Sequence, residues 1–215
     1  MKTYLSILSL ILFISCQTQN QTKKKVVEEK KPLIEQKMSA KEEFADVFGP
    51  WNGKWKGQFI VYNDPNGQQK GKAQPREISK AMLDGMGLEE SLRIDVEQEY
   101  VSTSPYYQTV KIRDTYTDGD GKVNVVESTG YNKVEDTQIL CVVNKPDEQV
   151  IHQGMVPADS TIIWGRDVRD PTKVEYFYEE IKANTYFIVG WGYYGEDDPE
   201  LTPKTWFYAA YQRVE

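Results

Sequence analysis

WNGKWKGQFIVY, residues 51–62, sets two tryptophans four positions apart, with Gly53 and Gly57 flanking the second. From Lys54 the stretch reads as a first strand, near residues 54–63. A sheet that closes on itself needs a large flat side chain to plug its closed end. Where the strand bends, a residue without Cβ lets backbone approach closely. The stretch therefore predicts Trp55 as a plug, Gly57 as the close approach, and Trp51, outside the strand, covering the same end.

Outward from this stretch the apolar residues recur with a period of two. In LEESLRIDVEQEY, residues 88–100, Leu88, Leu92, Ile94, Val96 and Tyr100 share one face. Glu89, Arg93, Asp95, Glu97 and Glu99 share the other, the pattern of a strand with one wet side. Further strands are expected near 71–83, 106–117, 122–133, 138–145, 149–155, 160–169, 174–182, 186–194 and 204–214. Turn residues separate them at Asp64-Pro-Asn-Gly67, Asp84-Gly-Met-Gly87, Asp118-Gly-Asp-Gly121, Lys145-Pro-Asp147, Asp170-Pro171 and Asp197-Asp198-Pro199. Fourteen Tyr and seven Phe agree with a strand-rich chain. A meander of this length closes to remove its edges, so the expected fold is all-β, an antiparallel up-and-down barrel of about ten strands. A short helix should precede it: Ser39 and Glu42 are spaced as a capping box, Phe44, Val47 and Phe48 share a face, and Gly49-Pro50 stops it.

Gly53-Lys-Trp-Lys-Gly57 resembles the glycine-x-tryptophan signature that opens the first strand of lipocalins and related calycin barrels. The preceding helix resembles their N-terminal plug. TWFYAAYQRV, residues 205–214, is similar to their last strand, which ends in an Arg stacked over the signature Trp. The resemblance implies a pair of Trp55 and Arg213, with a cation–π contribution of about 0.5–2 kcal/mol. Heme-binding members of the superfamily carry a longer glycine motif and a late His ligand. Phe59 stands at the last glycine here, and the sole His, His152, lies well before the final strands. No cofactor is expected.

The N-terminus has a different character. Lys2 precedes a mostly apolar run, Leu5 to Ile14, too short to span a bilayer and suited to a signal peptide over 1–15. It ends in LFISC, residues 12–16, which resembles the lipobox of bacterial lipoproteins, although Phe13 departs from the usual Leu. The resemblance implies cleavage before Cys16, acylation of Cys16, and a membrane anchor. Gln17, rather than Asp, after the Cys implies by resemblance the outer membrane of a bacterial cell envelope, facing the periplasm. Residues 16–37 are polar, charged and free of aromatics, a solvated tether, and residues 38–215 form the barrel domain.

Charge and residue counts exclude several functions. From Phe44 onward eighteen basic residues face twenty-eight acidic ones, a balance that repels nucleic acid. One His and two Cys supply neither a Ser-His-acid set nor a closed zinc site of the usual kinds. With Cys16 acylated, Cys141 has no disulfide partner, and in ILCVV, residues 139–143, it reads as a small hydrophobe. The run from Tyr116 to Glu127 nearly satisfies a calcium loop, but position one is Tyr and the flanks are strands, so a hairpin is expected.

The remaining signal is aromatic. Trp164 and Arg166 lie together, Tyr176 and Tyr178 alternate, and Trp191 and Tyr193 follow. If they face inward, Trp164, Arg166, Tyr176, Tyr178 and Trp191 suit a small hydrophobic or amphipathic ligand. If they fill the interior, the domain is structural. The resemblance also allows a barrel enzyme of the decarboxylase or cyclase type, which would need an inward Glu or Asp beside Tyr or Arg. Which face is inward stays open at this level.

Overall fold

The computed structural model describes residues 42–69 and 79–214. The expected signal peptide (1–15), the acylation site Cys16 and the tether (16–37) lie outside the described residues. Within them the chain forms ten strands: β1 (Gly53–Asn63), β2 (Glu89–Ser104), β3 (Tyr107–Thr117), β4 (Val123–Glu135), β5 (Gln138–Asn144), β6 (Gln149–Ala158), β7 (Thr161–Arg169), β8 (Thr172–Lys182), β9 (Thr185–Gly195) and β10 (Thr205–Val214). Each pairs antiparallel with its neighbour in sequence, and β1 pairs with β10, so the sheet closes into an up-and-down barrel.

The short N-terminal helical segment appears as two 3-10 turns, Glu42–Phe44 and Gly49–Trp51. Asp46 has a φ of 58° between them, a left-handed conformation that a continuous helix does not accommodate. The expectation of a strand over 71–83 is corrected where it can be seen. Lys80–Asp84 is a five-residue helix, α1, capped by the Ser79 hydroxyl, which accepts from the Met82 amide at 3.2 Å. The earlier part of that stretch, 71–78, lies outside the described residues.

Asp118-Gly-Asp-Gly121 makes the β3–β4 hairpin. The Asp118 carboxylate accepts from the backbone amides of Asp120 and Lys122 and from Asn124 Nδ2, at 3.1, 3.0 and 2.9 Å. Its oxygens serve the turn itself.

Two apolar clusters hold the barrel. One fills its interior, from Trp55, Tyr100, Tyr186 and Tyr211 at one end to Ile94, Ile112 and Phe177 midway. The other lies on the outer face, where α1 and the residues around it set Leu83, Met82, Met86 and Leu88 against Tyr62, Val189, Trp191, Trp206 and Tyr208. The outer face of β1–β4 is charged instead, with ion pairs such as Lys56–Glu97 at 2.9 Å and Lys111–Glu99 at 3.8 Å. A charged face of that kind is no lipid-facing band.

Candidate functional site: an interior cavity with two polar ends

Eight strands give an interior that side chains just fill or that holds one small ligand, and diameter grows with strand number. Ten strands leave space. A cavity of about 270 Å³ lies inside, larger than the 150 Å³ that suffices for a benzene ring. Its walls are mainly apolar: Phe59 from β1, Ile94 and Val96 from β2, Val110 and Ile112 from β3, Phe177 from β8 and Ile188 from β9.

The floor is closed by the stretch that opened the sequence. Trp55 is fully buried, and the guanidinium carbon of Arg213 stands 4.1 Å from its ring centroid. Arg213 also donates to the carbonyls of Asn52 and Pro50. A Cβ on Gly53, whose φ is 116°, would fall 2.7 Å from Arg213 Nη1, so glycine is required there. At Gly57 a Cβ would come 2.4 Å from the Ala210 carbonyl oxygen. The spacing of the two tryptophans has a direct cause: Trp55 Nε1 donates to the Trp51 carbonyl at 2.7 Å, and both rings meet Tyr186 edge-on. Gln108, fully buried, ties this plug to the wall by donating to the Phe48 carbonyl (2.8 Å) and Asn52 Oδ1 (3.0 Å) while accepting from Asn132 Nδ2 (2.9 Å).

Just above the floor, Glu179 projects inward from β8. Its Oε2 accepts from Trp164 Nε1 at 2.9 Å, and the carboxyl also interacts with the Tyr186 hydroxyl. Burial pushes its pKa up to about 7, against the downward pull of those two donors. Trp164 reaches this position because Gly154 lies opposite; a Cβ there would stand 2.6 Å from the indole.

Four residues further along β8 toward the other end, Glu175 sits in a polar cluster at the mouth. His152 Nε2 lies 2.9 Å from Glu175 Oε2, and the Tyr194 hydroxyl donates to Oε1 at 2.8 Å. Arg166 Nη1 lies 3.7 Å from Glu175, and Arg166 Nη2 lies 3.5 Å from Glu148, which Lys173 also contacts at 2.5 Å. Burial pulls the Glu175 pKa upward, but His152, Tyr194 and Arg166 outweigh it and hold the group below the ordinary carboxylate value. Burial and the neighbouring Glu175 raise Tyr194, which keeps it a donor. Gly192 gives the Tyr194 ring its place, since a Cβ would lie 2.7 Å from the hydroxyl oxygen. Cys141 lines the wall between the two ends, and burial pushes its thiol up, so it behaves as a small hydrophobe.

Of the five ligand-site candidates from sequence, Trp164 and Arg166 line this cavity. Tyr176, Tyr178 and Trp191 do not. Strand parity is the reason: Glu175, Phe177 and Glu179 point inward, so the residues between them point out. Tyr176 and Trp191 stack on one another at 5.3 Å on the outer face, and Trp191 packs with the α1 cluster. Sequence reasoning singled out neither Glu175 nor His152 as cavity groups, nor Tyr194 beside them; for Glu179–Glu180 the two-residue period shows that one carboxylate faces inward without saying which. The available signal was glycine: Gly190 and Gly192 alternate with Trp191, and they mark the face where Phe177 and Tyr194 need room.

No protein-family model and no curated protein matches the chain.

Proposed function

We propose that this protein is an envelope lipoprotein, anchored through acylated Cys16, whose lipocalin-like barrel binds a small amphipathic molecule in its interior. The observation that carries the binding reading is the cavity of about 270 Å³ with apolar walls and Arg166 at its mouth. The Arg166 side chain is only 10% exposed, and its ion pairs at 3.5 and 3.7 Å are longer than good hydrogen bonds. An anionic head at the mouth would use those donors, and burying an apolar tail at about 25 cal/mol per Å² supports micromolar affinity after association costs. The lipocalin-like reading is supported by Trp55 beneath Arg213, although the barrel has ten strands where lipocalins have eight.

Calorimetric titration with octanoate and with octanol tests the binding reading. The carboxylate should bind, and Arg166→Ala should weaken it more than it weakens the neutral alcohol. No binding of either sinks the proposal. The anchor is tested separately: Cys16→Ala should abolish acyl labelling and membrane retention. Placement in the outer membrane, facing the periplasm, follows from Gln17 and is checked by fractionation.

The cluster of Glu175, His152, Tyr194 and Arg166 favours a second reading, a barrel enzyme in which Glu175 serves as base and Tyr194 as donor. The two readings part at Glu175→Gln. A binder keeps its ligand within a few-fold, whereas an enzyme keeps its substrate and loses turnover.

A further inference from the structure

Glu179 plays no part in closing the barrel and none in the mouth cluster, yet it is a carboxyl group placed deep in an apolar interior. Such burial is costly unless partners offset it. Trp164 Nε1 and the Tyr186 hydroxyl supply two, while an ionised carboxylate offers about four acceptor sites. The carboxyl also lines the cavity, so its remaining capacity faces the space where a ligand would lie. At the mouth, Arg166 is the partner across the strand pair of Glu175, and Glu179 pairs with Ile162 two steps below Trp164. Four residues of β8 separate the two levels, a backbone distance of about 13 Å. The apolar walls of the cavity include Phe59, Ile94, Val110, Phe177 and Ile188.

We infer that the cavity selects a molecule polar at both ends: an anionic head at Arg166, an apolar middle, and a terminal hydroxyl that hydrogen-bonds Glu179. This rests on the cavity reading above and adds its inner end. A hydroxyl fits better than a group that only donates or only accepts. Glu179 titrates near neutrality, and a hydroxyl donates to the carboxylate and accepts from the protonated acid. An alkyl end would instead leave the carboxyl without its third partner when the ligand excludes water, the situation in which a polar site rejects an apolar analogue.

The experiment compares octanoate with ω-hydroxyoctanoate by calorimetry on the full chain, together with the shorter ω-hydroxybutanoate and butanoate. The hydroxyl should tighten the eight-carbon acid about tenfold, as expected for a hydrogen bond to a charged or titrating group. It should give a smaller gain on the four-carbon acid, whose chain is shorter than the separation of about 13 Å between the two levels. Glu179→Met should erase the gain and bind octanoate at least as tightly as the wild-type chain does, since the stranded carboxyl is gone, and that binding also shows that the variant folds. If that variant fails to fold, the wild-type chain-length comparison decides: an equal gain, or none, at both lengths overturns the inference. A gain that survives in Glu179→Met overturns it as well. If octanoate binds and the hydroxyl adds nothing, the inner site is wrong and the cavity reading stands. If none of the acids binds, the cavity reading fails and takes this inference with it.

Discussion

Glu175 and Glu179 are on the same strand, point to the same side and enclose the same cavity, yet burial acts on them with opposite results. At the floor, Glu179 has an indole N–H and a phenol as partners and, among the described residues, no cation, so desolvation wins and its pKa rises to about 7. At the mouth, Glu175 has His152, Tyr194 and Arg166, and these hold its pKa below the ordinary value despite desolvation. The lesson is that depth alone does not fix a buried carboxyl's state; the nearest donors and their charge do. The floor is built for rigidity from aromatics, and the mouth is built from charges that hold one another in place.

The largest expected effect tests the floor. Trp55→Ala should cost about 3–5 kcal/mol in urea unfolding, the range for a large aromatic truncated in a core. A cost under about 1 kcal/mol would show that the plug is not what closes the barrel.

Next comes the pH dependence. Glu179 has a raised folded pKa, so the folded state holds its proton longer than the unfolded chain does. Stability from this group is full below about 4.5 and falls as pH rises toward and past about 7. The loss amounts to at most about 3 kcal/mol by linkage. Glu175 has a depressed folded pKa, so its contribution is present above the ordinary carboxylate value and is lost on acidification below it. Unfolding midpoints from pH 3 to 9 should therefore fall on both sides of about 4.5, and Glu179→Gln should flatten the fall between about 4.5 and about 7 alone. Flattening of the acid side instead would reverse the assignment of the two carboxyls.

Glu175→Gln comes third, at about 1–3 kcal/mol, because it removes the charged partner of His152 and one of the two carboxylates beside Arg166. Restoring that stability by a second change, Arg166→Met, would show that the cost lay in the stranded guanidinium. The smallest effect belongs to Arg213→Ala, about 1 kcal/mol from the cation–π contact and its donors to the plug. It should be coupled to Trp55: in a double-mutant cycle the Arg213 effect should shrink once Trp55 is Ala, leaving the part owed to the carbonyls of Asn52 and Pro50.

Sequence period and tertiary register divide the account of this molecule between them. Alternation and turn residues were enough to place strands at β1 to β10, because a two-residue period and a Gly, Asp or Pro break are local properties of the chain. The Trp55 and Arg213 pair was legible only through the resemblance to calycin barrels; the pairing of β1 with β10 is what brings the two side chains together. The inward face of β8 and β9 was not legible: both faces carry aromatics, so the period identifies two sides without saying which is buried. Cross-strand register decides that, placing Glu175 opposite Arg166 and Glu179 opposite Ile162 and leaving Tyr176, Tyr178 and Trp191 outside. The cover over Trp206 and Trp191 came from α1, a segment whose alternation read as strand until the neighbouring chain claimed its apolar side. Whether the interior held space depended on the closure itself, because a cavity is a property of ten strands meeting at one circumference and of no single one of them.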